Sequence, residues 1–431
     1  MIIPSILIVP GKYNNNKLIS QIPVNESADF TVSRLTTATR VNSNGLINLV
    51  TNNVPRIDYL NQSCPALLVE ASGQNGILNS ADTTTNWLLG ANLTSGAIDV
   101  IGVTGNNITV AASGSSIGNS AGRLGRSGNN VALASGSTYT ISFFIKKTGA
   151  HTIGGYYAII TGAASGNLGA GFDVSGSFSS GSIFNTAGTT NRIRRVEQWG
   201  TDVYRCSETF TMTASGTLTS FFLAPLNLVN DQPNPAVGTQ LGFAAPQIEL
   251  GAFPTSFIPT TTGAGSRAAD TIIASGALVS GLIGQTEGTI YAEVDIRNLG
   301  VVRSFINVQD SSYAGNAVRI ECNASNQFRI QIRAATVSAL DQTITSPTFT
   351  TGINKVAMAY NNAASGVVFA FNGSIIYTSA SAVTMPSGMD RVHLGTRFLG
   401  TYDLFFNDRI RAAAVYTTRL SNNELQLLTK L

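Results

Sequence analysis

Glu293 and Asp295 stand two positions apart in the strand-like run Gly288 to Ile296 (GTIYAEVDI). Paired carboxyls are what glycoside hydrolysis uses, one to attack or activate water and one to protonate the leaving oxygen. Alternation sets Glu293 and Asp295 opposite Ile290, Val294 and Ile296, on the face where solvent-facing carboxylates belong. Of the two histidines, His151 lies in a Gly-rich turn and His393 in Arg391 to Leu394 (RVHL), and no motif pairs either with a Ser or Cys nucleophile. A phosphate-binding loop, a dinucleotide fingerprint and a zinc signature are all absent. The expectation is a chain without catalytic residues and without a cofactor.

Binding chemistry has more to work with. A pyranose offers a flat apolar face with a polar rim, and an aromatic ring exposed on a loop is its natural partner. Trp87, Tyr313 and Tyr402 are the candidate sugar-stacking rings, the two tyrosines in the Gly-flanked stretches SSYAGN and FLGTYDLFF, with core packing as the default reading for all three. Asn307, Asp310 and Asn316 bracket a loop that offers hard oxygens to calcium, but one carboxylate and no EF-hand spacing leave the metal unassigned. Arg192 and Arg194 share a strand face, placed either to touch lipopolysaccharide phosphates or to keep a sheet edge from pairing.

The elements that must position these residues are strands. Runs such as Tyr139 to Ile145 (YTISFFI), Val367 to Phe371 (VVFAF) and Ile375 to Thr378 (IIYT) are β-branched and aromatic, bounded by Gly, Ser and Asn. One helix is expected, at the end, where Ser421 and Glu424 form a capping box ahead of Leu425 and Leu428. No heptads occur, so a fibre built from this chain is not a coiled coil. A length of 431 residues allows two or three domains that each bury a core. Charged residues make up only 11%, against a usual share of about a quarter, yet hydrophobic residues reach 43%, so the chain folds and presents a neutral polar surface. A net charge of +3, spread thinly, argues against nucleic-acid binding. Cys64, Cys206 and Cys322 are far apart, with no CxxC pair, and read as reduced structural thiols. The opening MIIPSILIVP is broken by Pro4 and Pro10 and lacks a basic lead, so it reads as a strand and not as a signal peptide. No run approaches about 18 apolar residues, so no membrane insertion is expected. Phe253 to Asp270, rich in Pro, Gly and Thr, reads as a linker between two strand-rich blocks.

Ala28 to Tyr59 (ADFTVSRLTTATRVNSNGLINLVTNNVPRIDY) and Cys64 to Glu70 (CPALLVE) resemble an N-terminal module of tailed-phage head-spike, head-fibre and tail-fibre proteins. Asn79 to Trp87, Tyr139 to Lys147, Tyr204 to Phe210 and Pro246 to Asp270 resemble the carbohydrate-binding-module-like jelly roll that follows it in such proteins, where the ring matching Trp87 is usually core. Residues 271 to 431, opening with GTIYAEVDI and closing with RIRAAAVYTTRLSNNELQLL, are similar to laminin-G-like and concanavalin-A-like lectin domains. Glucanases of that last fold carry a Glu-x-Asp-x-x-Glu strand, and Asn298 stands where its final acid would be.

The resemblance implies an all-β chain with two β-sandwich (jelly-roll) domains after an extended N-terminal attachment segment, and one short C-terminal helix. The expected boundaries are 1–75 for virion attachment and oligomerisation, 76–262 for the carbohydrate-binding-module-like jelly roll and 263–431 for the lectin-like sandwich. It implies a virion surface protein, made in the host cytoplasm, whose partners are other virion proteins, further copies of itself in a trimer, and host glycans. A head fibre or decoration is the first reading. A tail-fibre or baseplate receptor-binding protein is the second, and a capsule depolymerase is the alternative of another class.

Overall fold

In the computed structural model, residues 2–113, 116–118, 120–175, 183–186, 188–227, 235–312 and 315–431 are described. Nearly all regular structure is antiparallel strand, as the alternating sequence requires. The chain forms two compact units, one of residues 1–43, 50–72 and 268–431 and the other of residues 44–49 and 73–267.

The first unit is a two-sheet sandwich. Its nine-stranded sheet runs, in spatial order, Tyr13–Asn14, Lys17–Leu18, Phe30–Ser33, Thr271–Ser275, Arg391–Leu394, Arg303–Gln309, Ala317–Cys322, Phe328–Ala334 and Val337–Ile344. The facing sheet is built on Glu287–Ile296, flanked by Gly352–Asn361 and Asp408–Tyr416, with Ile6–Ile8 and Ala66–Val69 both paired to the latter. Period-two alternation decides which side chains fill the space between. In Phe328–Ala334, Phe328, Ile330 and Ile332 enter the core, and Arg329, Gln331 and Arg333 take the opposite face. Asn422–Thr429 forms the C-terminal helix, and its expected capping box is present: Ser421 accepts from the Glu424 backbone and Glu424 from the Ser421 backbone. Leu425 is buried, and Ala277–Ser280 forms a four-residue helical turn.

Residues 1–75 were expected to form an extended attachment segment, but 1–43 and 50–72 belong to the first unit and 44–49 and 73–75 to the second. Ile6, Ile8, Phe30, Val32, Leu67 and Val69 belong to the same core as the strands of residues 271–431. A buried ion cluster fixes them there. Arg34 Nη1 reaches Asp270 Oδ1 at 3.0 Å, Arg56 bridges Asp270 and Glu70, the latter at 2.6 Å, and the Glu70 backbone N–H donates to Asp270 at 3.0 Å. Asp58 accepts from Arg409 Nε at 2.6 Å and from the backbone of Val41 and Leu60. The physical reason is burial: a 72-residue piece with few amphipathic periods acquires a core only by adding its strands to a larger sheet.

The second unit is a sandwich of two six-stranded sheets around one core that includes Trp87, Ile141, Phe143, Tyr156, Phe210, Phe221 and Phe243. The stretch Phe253 to Asp270 is not a free linker. Phe257, Ile258 and Thr260 are buried, Asn75 Nδ2 donates to Ile258 O at 3.0 Å, and Gln247 Oε1 accepts from the Ile258 backbone at 2.7 Å. Its Pro, Gly and Thr content reflects an irregular path whose backbone groups are satisfied by side chains, which composition alone does not distinguish from a flexible one.

Candidate functional site

The face of the nine-stranded sheet turned away from the core carries a row of polar side chains that runs across the strands. His393 lies opposite Asn307, Asn307 opposite Arg319, Arg319 opposite Gln331, and Gln331 opposite Asp341, so five neighbouring strands each contribute one residue. Cross-strand partners of this kind have Cβ atoms about 4.5–5.5 Å apart, close enough to bond directly. They do: Arg319 Nε donates to Asn307 Oδ1 at 3.1 Å and Nη1 to Gln331 Oε1 at 3.0 Å, while Gln331 Nε2 donates to Asp341 at 3.0 Å. Asn307 in turn donates to Gln309 Oε1 at 2.6 Å.

These bonds leave specific atoms unspent. Arg319 Nη2, Gln309 Nε2, both ring nitrogens of His393 and the Thr396 hydroxyl are buried and have no protein hydrogen-bond partner. His393, Gln309 and Thr396 are 0% exposed and Arg319 2%. An unmade bond at such an atom costs about 1–3 kcal/mol, more at a charged group, so several on one face are an unusual concentration. Burial, reinforced by Arg391 and Arg319, pushes the His393 imidazole down to about 3, which keeps it neutral with one N–H to give and one lone pair to receive. Burial also pushes the Arg319 guanidinium down to about 10, leaving it protonated at neutral pH.

A short hairpin, Arg397–Phe398 paired with Tyr402–Asp403, folds back over this face. Gly395, at φ +66°, makes the turn into it; a side chain there would meet Phe406, Val69 and Ile410. The hairpin brings Phe398 and Tyr402 together at a ring separation of 4.6 Å and sets them 6.3 and 5.9 Å from the His393 ring. Arg397 holds Asp403 at 2.6 Å and approaches Glu321 at 3.5 Å, and Arg329 ties Glu321 to Asp341. Burial raises the Glu321 carboxyl, against the pull of Arg397, Arg319 and Arg329. The assembly can offer a ligand two partly buried rings, neutral and cationic donors, and an imidazole acceptor.

Tyr402 is thus part of the cluster, half-buried at its edge. Tyr313 lies outside the described residues. Trp87 is corrected: it is a core residue, its indole N–H bonded to Asn79 O at 3.1 Å and its ring edge-on to Phe221, so it presents no face to a sugar. Arg192 is also corrected, since its side chain is buried against Glu208 at 2.6 Å, beside Tyr156, and is neither a phosphate contact nor a surface charge. Glu293 and Asp295 do point away from the core, and each is held by a cation: Glu293 by Arg411 at 2.8 Å and Lys355 at 3.7 Å, Asp295 by Arg297 at 3.4 Å. His151 bonds the Ile153 and Leu226 carbonyls. Asp310 closes its own loop on Ser312 and Asn316 while Asn307 turns to Arg319, and no grouping of three or more His, Cys, Asp or Glu fit for a metal occurs among the described residues. Cys206 and Cys322 are buried and Cys64 is exposed, all three unbridged.

Sequence reasoning missed His393, Arg319, Gln309, Asn307 and Gln331 as a group. The available signal was the alternation of RSFINVQ, AVRIEC and FRIQIRA, whose polar members fall on one face. What places them in one row is strand register, which sequence does not state.

No family model matches the chain, and no curated protein does. Among solved structures, the chain is similar to the CBM40 module of Ruminococcus gnavus IT-sialidase, with 19% identity over 34% of this chain and 84% of that one and a TM-score of 0.30. It is similar to a pentraxin of Limulus polyphemus, with 11% identity over 33% of this chain and 68% of that one and a TM-score of 0.26. It is also similar to a putative carbohydrate binding protein of Bacteroides ovatus, with 8% identity over 72% of this chain and 80% of that one and a TM-score of 0.26. TM-scores at this level assign neither a family nor a function.

Proposed function

We propose that this chain is a non-catalytic adhesion protein that binds glycans through the polar face under the 397–403 hairpin. The observation that carries the reading is the combination, on one sheet face, of a Phe398–Tyr402 ring pair with buried donors on Arg319, Gln309 and His393 that no protein group satisfies. Rings that cover a sugar face and polar groups that fix its hydroxyls are the two parts a carbohydrate site needs.

The setting is a tailed-phage particle, a reading that rests on the resemblance of residues 28–59 and 64–70 to virion modules. A head fibre or decoration comes first, and a tail-fibre or baseplate receptor-binding protein second. Exposed Ile3, Val24 and Leu35 give the N-terminal region apolar surface for a virion partner or for further copies of the chain in a trimer. Weak single sites then gain strength from many copies. Depolymerase activity has less to support it, because Glu293 and Asp295 are each paired with cations and Glu321 and Asp403 share Arg397.

The test is a glycan array of bacterial-surface oligosaccharides probed with the protein and with Tyr402→Ala, alongside immunogold labelling of purified particles. Binding that Tyr402→Ala weakens, with label on the particle surface, is the expected result. A blank array refutes the adhesion reading, and particles without label refute the virion one.

A further inference from the structure

We infer that the polar row is a subsite for the carboxylate of an acidic sugar, with Arg319 Nη2 and Gln309 Nε2 as its donors. The inference rests on the glycan-binding reading and narrows it to one ligand class. Arg319 is the reason. Its guanidinium is 2% exposed and bonds two neutral amide oxygens, of Asn307 and Gln331, with no carboxylate at ion-pair distance. A buried cation satisfied only by neutral acceptors is costly to keep charged, and a bound anion is the partner that repairs both its charge and its spare N–H.

The neighbouring acids are already committed. Glu321 is shared between Arg329 and Arg397, Asp341 is held by Arg329, and Asp403 by Arg397. Asp390 is likewise held by Arg391, at 3.1 Å. Asn307 orients both donors: it holds Gln309 by the oxygen and Arg319 by Nε, which leaves Nε2 of one and Nη2 of the other without a protein partner. His393, opposite Asn307 in the row, is the group that takes a hydroxyl next to the carboxylate, as donor and acceptor at once. Because these atoms lie under the hairpin, the ligand enters as residues 397–403 lift, which breaks the 3.5 Å contact of Arg397 with Glu321.

The test uses the full chain and an array of acidic surface oligosaccharides, each printed in its native form and with its carboxyl groups reduced to alcohols. Native acidic glycans are expected to bind, and the reduced forms to bind about tenfold more weakly, the loss of about one charged hydrogen bond. Arg319→Gln should erase the difference between the two forms. Gln309→Glu, which keeps an acceptor for Asn307 and replaces the Nε2 donor with an oxygen, should weaken the native form more than the reduced one, and it carries the test if Arg319→Gln fails to fold. Equal binding of native and reduced glycans, both weakened by Tyr402→Ala, overturns the carboxylate subsite and leaves the adhesion reading standing. No binding by either form overturns both.

Discussion

His393 has an imidazole that the fold holds neutral, and this makes a prediction that a surface histidine would not. An unfolded histidine titrates near about 6.5, whereas burial holds this one down to about 3 in the folded chain. Between those values the unfolded state binds the extra proton, so the contribution of His393 to stability is full above about pH 6.5 and is lost as pH falls toward 3. His393→Gln should therefore flatten the decline in urea midpoint between pH 7 and pH 4; a decline as steep as in the parent chain would place the acid sensitivity elsewhere. Trp87 and Tyr402 make a contrasting pair. Trp87→Ala empties a core site and should cost about 3–5 kcal/mol of stability while glycan affinity is unchanged. Tyr402→Ala should do the reverse, lowering affinity with little change in the unfolding midpoint. Of the rings singled out from sequence, Tyr402 falls beside His393 in the hairpin that Gly400 and Thr401 turn. In isolation Trp87 reads the same way as Tyr402, since exposure depends on which sheet closes over it.

At the scale of elements, the C-terminal helix was readable to the residue, because a capping box is a local device whose partners are three positions apart. Ser421→Ala should lower stability by about 1 kcal/mol, measured by denaturant titration. The stretch from Phe253 to Asp270 shows the opposite case. Its composition announces a linker, yet its contacts with Asn75, Ser80 and Gln247 reach across up to 183 positions of sequence and cannot be seen locally. Limited proteolysis separates the two descriptions. The native protein should resist cleavage between residues 254 and 270, and early cutting there would restore the linker. The polar row belongs to this class too: each of its strands was foreseeable from alternation, but the row exists only through the register of five strands.

For the whole molecule, the sandwich architecture followed from composition and strand punctuation, whereas the composition of the first unit did not. Arg34, Arg56 and Glu70 sit inside the stretches that resemble a virion module, and the structure commits them to Asp270, at least 200 positions away. Asp270→Ala should cost about 3–5 kcal/mol, since it takes the ion-pair carboxylate from buried Arg34 and one of two from buried Arg56. A chain that begins at residue 73 should lose the cooperative unfolding of the first unit while the second retains its own, as calorimetry would resolve; an unchanged first transition would mean that the early strands are accessory. One sheet face and the ligand that occupies it decide what the molecule does. A crystal structure of the chain with the oligosaccharide that binds it most tightly is the direct measurement. The sugar is expected intact against Tyr402 and Phe398, with polar groups bonded to Arg319 and Gln309. A sugar bound on the second unit, or one found cleaved, would contradict it.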